Sequence, residues 1–352
     1  MIRNMKKTFL STLFLVLNIT ALWAQIPTEG VTYFLPKTAL RFAVLVEKTT
    51  FTPGKYARFS ERYLKTPVKD TPTTTYRIVG TKMNTYAVPD SSKQFTATID
   101  KKHSIISVSR DQNGVIMAVN SEPMPVEKVT SFQPSPKPVA IDPAKYMTAE
   151  ILAAGSNAKT AELIAQEIYD IRDSKNQLSR GEADFMPKDG EQLRIMLDNL
   201  NMQEKAMLQF FQGTTITDTL ETIVDYVPVK GTEHDLLFRF SKHLGMVNKD
   251  DLGGTPYYLS IKDEEIIPVL SLPDENAKKD KNNVGINVNL PGKINITLSK
   301  EEQPLSSFDT YAAQFGRIEN ISGRLWGKKF TTHLVLNPVT GNVENIKIEA
   351  LD

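Results

Sequence analysis

Residues 31–47 read VTYFLPKTALRFAVLVE. Leu40, Phe42, Val44 and Val46 alternate with Arg41, Ala43, Leu45 and Glu47, and a period of two puts the first set on one face of a strand. Pro36 has no N–H to give a central ladder, so the stretch is expected as two β segments meeting at that proline.

The same reading extends outward. After Pro53 and Gly54, the residues Tyr56, Phe59, Tyr63 and Leu64 recur at helical spacing and predict a helix over 55–65. Short alternating runs at 75–79, 83–88, 94–99, 104–109 and 115–119 predict strands. Turn signals separate them at Pro89-Asp90, Asp100-Lys101 and Asn113-Gly114. Pro123, Pro125, Pro134, Pro136, Pro138 and Pro143 then crowd a stretch that resists regular structure. Ala161, Ile164, Ala165, Ile168 and Ile171 share a face in a helix predicted over 158–178, and a second helix is predicted over 192–212. Inside the second, Asn201 and Glu204 match a capping box, which predicts a kink or split. Gly213 is its expected stop, and the pair reads as an antiparallel hairpin.

Strand patterns return at 214–227, 235–241, 256–262, 266–270, 284–290, 293–299, 316–321, 330–336 and 343–349. Hairpin turns are expected at Pro291-Gly292 and at 337–342, with a polar loop over 274–283. No fixed-period repeat points to a solenoid or propeller. The expected architecture is α+β, with a β-rich N-terminal domain carrying one helix at 25–120 and a proline-rich linker at 121–155. A helical hairpin at 156–213 and a mostly antiparallel β domain at 214–352 complete it.

Residues 1–24 carry an address. Arg3, Lys6 and Lys7 precede a largely apolar run from Phe9 to Trp23, and Ala24 supplies the small residue for a cut that leaves Gln25 first. The run is shorter than the roughly 20 apolar residues a spanning helix needs, so cleavage is expected, with release to the periplasm or the outer membrane. The absence of cysteine removes disulfides, thiol nucleophiles, zinc–thiolate sites and an acylated N-terminal cysteine, so no direct lipid anchor is expected. Loss of the leader takes three positive charges from a formal +1, and Lys101-Lys102, Lys278-Lys279 and Lys328-Lys329 are short and scattered. Without a basic face to neutralise several phosphates, nucleic acid is not an expected partner.

Chemical signatures are sparse. Asp250-Asp251, Glu264-Glu265 and Glu301-Glu302 are adjacent pairs in predicted loops, where neighbouring carboxylates diverge rather than flank a glycosidic bond. Asn248, Asp250 and Asp251 before Gly253-Gly254 lack EF-hand spacing. His103, His234, His243 and His333 form no HExxH arrangement, and no GxSxG elbow is present. Gly323 to Lys329 is one residue short of a phosphate loop between its glycines and has Lys329 where Ser or Thr should stand, so a turn with Trp326 packed on a strand is expected. Asn295-Ile296-Thr297 and Asn320-Ile321-Ser322 are formal glycosylation sequons that bacterial export would leave unused. Catalytic residues are thus unknown, and no metal or cofactor is expected.

Tyr33 to Leu40, Val46-Glu47-Lys48, Pro53 to Ala57 and Glu61 to Leu64 resemble domain of unknown function 4831, a family of exported proteins from Gram-negative anaerobes. Met186 to Gly190, Gln209 to Gly213 and Asn337 to Gly341 continue the resemblance over most of the mature chain. It implies an envelope location and carries no activity or site residue. The expected role is a non-catalytic interaction or assembly factor with an envelope protein partner. The alternative is a carbohydrate-active enzyme or glycan-binding module, with Tyr257, Tyr258, Tyr311 and Trp326 as the aromatic candidates; strand alternation sends Tyr257 and Tyr258 to opposite faces.

Overall fold

A computed structural model describes residues 30–99, 104–126, 132–137, 140–268, 285–327 and 329–350. The expected leader with its expected cut at Ala24, the expected Asp100-Lys101 turn, His103 and the expected loop over 274–283 lie outside these residues. Strand accounts for 47% and helix for 23% of the described residues, which makes the fold α+β.

The strands form three antiparallel sheets. β1 (Gly30–Thr52) is the centre of the first, between β2 (Thr73–Thr98) and β5 (Thr214–Tyr226). The second runs in the order β10 (Gln303–Ile321), β9 (Ile286–Lys300), β8 (Thr255–Asp263), β6 (Asp235–Ser241) and β7 (Gly245–Val247). The third runs β12 (Val343–Ala350), β11 (Phe330–Leu336), β4 (Ile116–Val119) and β3 (Val108–Arg110). Asp111 stitches the β3–β4 turn by accepting from the N–H groups of Asn113 and Val115 at 2.8 Å, and Gly114 takes the positive φ of 82° that the Asn-Gly signal requires.

Four predicted breaks are absent. β1 is one strand, and Pro36 sits at a register shift directly opposite Pro89 of β2, so two residues without an N–H share a rung that forfeits no donor. The turn expected at Pro89-Asp90 is an insertion inside a continuous β2. Buried Asp90 holds it by accepting from the N–H and Oγ of Ser92 at 3.1 and 2.6 Å and pairing with Lys37 at 3.1 Å. Pro291 and Gly292 lie within β9 rather than at a hairpin, beside the register shift between Ala312 and Arg317 of β10. The predicted kink at Asn201 is missing because Glu204 spends its carboxylate on Arg172 and Lys175, both at 2.6 Å, instead of capping a new helix start.

Smaller differences follow the same logic. The helix expected over 55–65 is a 3₁₀ turn at Ala57–Phe59 followed by α1 (Ser60–Leu64), ended by Lys65 in the left-handed region. Residues 266–268 are not strand, and 269–270 lie outside the described residues. β7 and the first half of β10 carry no alternation strong enough to be predicted. The segments 25–120 and 214–352, which sequence order treats as separate β domains, share two sheets: β5 pairs with β1 over 13 rungs from Leu40–Tyr226 to Thr52–Thr214, and β11 pairs with β4.

Two cores lie along the long strands. Leu40, Phe42, Val44 and Val46 of β1 face Leu259, Ile261, Ile294, Ile296 and Leu298 of the five-stranded sheet. Farther toward the N-terminus of β1, Tyr33 and Leu35 join Ile116, Ile286, Val288, Trp326, Leu334 and Leu336. Tyr33 ties β1 to β9 there, its hydroxyl accepting from Asn287 N–H at 2.9 Å, and burial pushes the phenol up to about 12. β1 and β9 therefore belong to both cores.

Between the cores lies a polar joint. Asn289, with no exposed surface, donates from Nδ2 to the carbonyls of Pro36 at 3.0 Å and Thr340 at 2.9 Å. Gln314 accepts from Thr38 N–H at 3.0 Å and donates to the carbonyls of Thr38 and Pro228 at 2.9 and 3.1 Å. These amides satisfy backbone groups of β1 and of the loops at Pro228 and Thr340.

A helical layer closes the far end of the first sheet. α2 (Ala149–Leu152), α3 (Asn157–Arg180) and α4 (Gly190–Gln212) gather Ile151, Ile164, Ala165, Ile168, Met207 and Phe211 around Tyr56 and Leu64. Gly213 ends α4 at φ 73°, where a Cβ would strike the Thr52 carbonyl. The close approach lets Tyr56 N–H reach the Phe210 carbonyl at 2.7 Å.

Candidate interaction surface

The predicted chemical residues are dispersed. Asp251 accepts from Gly253 N–H at 2.8 Å and so serves its own turn. Glu265 adopts φ 51° beside Asp263, and Glu301 turns the chain between β9 and β10 at φ 54°. Among the described residues no group of three or more His, Asp or Glu side chains could hold a metal ion.

His234 and His243 stand at opposite ends of β6, as their positions predict. His234 stacks on Tyr258 with ring centroids 3.8 Å apart, and His243 belongs to the β6–β7 turn. His333 is the one described histidine beside a carboxylate: its Nδ1 lies 2.5 Å from the Asn120 carbonyl and its Nε2 lies 3.6 Å from Glu349, itself bound to Lys347 at 2.6 Å. Lys347 and His333 together hold the Glu349 carboxyl below the usual range. Ser121 lines the same shallow hollow of about 270 Å³. No hydrogen bond joins Ser121 to His333 among the described residues, so the cluster lacks the nucleophile–base contact of a nucleophilic triad.

The aromatic candidates divide. Trp326 is fully buried, and Tyr257 stacks on Phe238 at 4.6 Å inside the core. Tyr258 and Tyr311 point to the outer face of the five-stranded sheet, in keeping with the opposite orientations expected of Tyr257 and Tyr258. Between them Asn295 donates to Ser307 Oγ at 2.9 Å and Asp309 at 2.7 Å, and Lys293 pairs with Asp309 at 3.3 Å.

The helical hairpin presents a different surface. Ser156 and Asp189 cap α3 and α4, each side chain accepting from the N–H three residues on. Burial opposes ionisation of Glu204, but hydrogen bonds from Lys175 and Arg172 outweigh it and hold the carboxyl below its ordinary range. Those ion pairs mark the limit of the core. α4 buries Ala206, Met207 and Phe211 and nothing before them, although Leu193, Met196, Leu197 and Leu200 form an apolar stripe along its first turns. α3 buries only Leu178 beyond Ile171. Phe185, Ile195 and Met202 are 70, 49 and 48% exposed.

The distal hairpin is thus an arm of two amphipathic helices packed on each other over no core. Periodicity finds the stripe but not the missing layer beneath it, because burial depends on where the rest of the chain ends. Among the described residues no helix is long and apolar enough to cross a membrane. No curated protein and no solved structure matches the chain. A family model matches residues 29–344, a span that takes in the arm and every strand except most of β12, and the chain belongs to the family described as domain of unknown function DUF4831.

Proposed function

We propose that this chain is an exported, non-catalytic interaction or assembly protein of the cell envelope, and that the distal helical hairpin is the arm that docks a protein partner. The observation that carries the reading is a helix pair with no core beneath it, whose stripe at Leu193, Met196, Leu197 and Leu200 is only half-buried and whose Phe185, Ile195 and Met202 are exposed. An exposed surface of that kind marks a partner site more often than a tolerated defect. The dispersed carboxylates and histidines favour binding over chemistry, and the leader pattern at residues 1–24 favours the envelope as the place of work.

Cross-linking in native cells followed by capture of the tagged chain tests the arm. The expected result is one stable envelope partner with the wild type and its loss with Ile195→Asp or Met202→Asp, both at exposed positions. Capture unchanged by both variants would overturn the arm, and an uncleaved N-terminus in the cytosolic fraction would overturn the location.

A second reading rests on the outer face of the five-stranded sheet. The His234–Tyr258 stack and Tyr311 flank the Asn295, Ser307 and Asp309 network, a combination suited to stacking on and hydrogen-bonding a glycan. A glycan array on which Tyr258→Ala and Tyr311→Ala match the wild type would remove it.

A further inference from the structure

We infer that β5 is the seam of a homodimer, in which two copies pair antiparallel across a two-fold axis at Leu220 and join their three-stranded sheets into one of six strands. An edge strand offers a row of unpaired N–H and C=O groups, which proteins usually guard with proline, lysine, bulges or short length. The other edges are guarded. β2 carries Lys82, Pro89 and Lys93 and an insertion, and its Tyr76 N–H is taken by the Lys242 carbonyl at 2.8 Å. β10 has two register shifts, β12 carries Lys347 and Glu349, and β3 and β7 are three residues each.

β5 lacks the proline, lysine, bulge and short length of the others, and its charges are three acids, Asp218, Glu221 and Asp225. Its 13 residues, TTITDTLETIVDY, hold unbroken register with β1 and include no proline, glycine, lysine or arginine. Among the described residues its backbone makes no hydrogen bond outside the ladder with β1. Ile216, Leu220 and Ile223 are 52, 49 and 46% exposed.

The sequence of the strand fits a second copy of itself. With the axis at Leu220, the midpoint of β5, Ile216 faces Val224 of the second copy, Thr217 faces Ile223, and Leu220 faces its own mate. Asp218, Glu221 and Asp225 each fall opposite a threonine: Thr222, Thr219 and Thr215. No two acids meet, whereas moving the axis one residue toward the C-terminus sets Glu221 against itself. Asp218 and Asp225 are already neutralised within the chain by Lys137 at 2.9 Å and Arg41 at 2.8 Å. Even-numbered residues stay on one face in both copies, so the Ile216–Val224 and Leu220–Leu220 pairs share that face, alternating with Asp218–Thr222 pairs. The pairing adds about 12 backbone hydrogen bonds.

The absence of native cysteine makes the test specific. Directly opposite residues on antiparallel strands lie about 4.5–5.5 Å apart between Cα atoms, within disulfide reach. Leu220→Cys in the full mature chain should therefore cross-link to itself under mild oxidation. Thr217→Cys should not, because its mate sits opposite residue 223, about 20 Å away. Light scattering over a concentration series should show twice the monomer mass for the wild type and the monomer mass for Leu220→Lys, with an unchanged far-ultraviolet spectrum. Should Leu220→Lys disturb the strand, Thr219→Lys, facing Glu221, is expected to tighten the dimer several-fold. Monomer mass at every concentration would overturn the proposal. So would a dimer that resists Leu220→Lys without cross-linking at position 220, or a dimer loosened by Thr219→Lys. Ile195→Asp in the arm should leave the dimer intact, which separates this result from the fate of the arm.

Discussion

Replacing Asn289 with alanine should weaken the fold out of proportion to the few atoms removed. The side chain is fully buried, and its Nδ2 donates to the Pro36 and Thr340 carbonyls at 3.0 and 2.9 Å. Both partners are acceptors, so the amide orientation is fixed by chemistry: rotation would point Oδ1 at two oxygens. Alanine strands both carbonyls away from water, at a cost of about 1–3 kcal/mol each. Part is recovered because Oδ1 is itself buried without a partner, and losing an orphan acceptor is favourable. The net expectation is a loss of about 3 kcal/mol.

Asn289→Asp sharpens the test. A protonated carboxyl can donate to one of the two carbonyls, whereas an ionised one donates to neither and repels both. The folded-state pKa of the introduced carboxyl should therefore rise above its unfolded value, so the variant should lose stability as pH climbs from about 4, at up to about 1.4 kcal/mol per pH unit until the folded pKa is passed. Urea titrations at several pH values read both effects as a lower midpoint at constant slope. A loss below about 0.5 kcal/mol for Asn289→Ala, typical of an unimportant surface site, or a pH-independent Asn289→Asp, would refute the claim that this amide joins the two cores.

Gly213→Ala should cost more than the roughly 1–2 kcal/mol of a left-handed non-glycine residue, because its Cβ would also meet the Thr52 carbonyl; thermal melts with Gly181→Ala, another positive-φ helix end with open space around it, supply the control. Burial raises the Asp90 carboxyl, but the hydrogen bonds from Ser92 and Lys37 outweigh it and leave the group below the ordinary aspartate range. Its contribution is then present above the unfolded pKa and lost as pH falls through the folded one, so Asp90→Asn should flatten the acid limb of a stability–pH curve below about pH 4. Glu204→Gln should remove two charge-assisted bonds and cost about 1–2 kcal/mol, with faster amide hydrogen exchange in the first turns of α4 as the local readout.

Legibility differs between the two kinds of element. The paired helices are readable to within about two residues at each end, since the apolar periodicity and the stop at Gly213 act within a few turns of chain. β6 and β11 are equally clear, being short strands of strong alternation bounded by turns. The long strands are not. Pro36, Pro89 and Pro291-Gly292 are local signals for interruption, yet the partners across the ladder have bulges or prolines at the same height, which is information carried by residues tens of positions away. The arm's stripe is visible at Leu193, Met196, Leu197 and Leu200, but its lack of a core is not. The edge of β5 is equally hidden, because nothing in TTITDTLETIVDY says which side β1 will take.

The interleaving of sheets also constrains how the arm and the seam relate. β5 follows α4 after Gly213 and pairs with β1 down to the rung between Thr52 and Thr214, immediately before the Pro53-Gly54 bend that packs on Phe210. The base of the arm and one end of the proposed seam are consequently built from the same few residues. A ligand that levers the arm would act first on the Thr214 end of β5, where Ile216 is exposed and no sheet backs the strand edge. Partner binding and strand pairing should then be coupled, and linkage requires the coupling to be reciprocal. If dimerisation measured with and without the captured partner gave the same dissociation constant, the rigid connection through Gly54 and Gly213 would not transmit force, and the two surfaces would have to be treated as independent despite sharing a hinge.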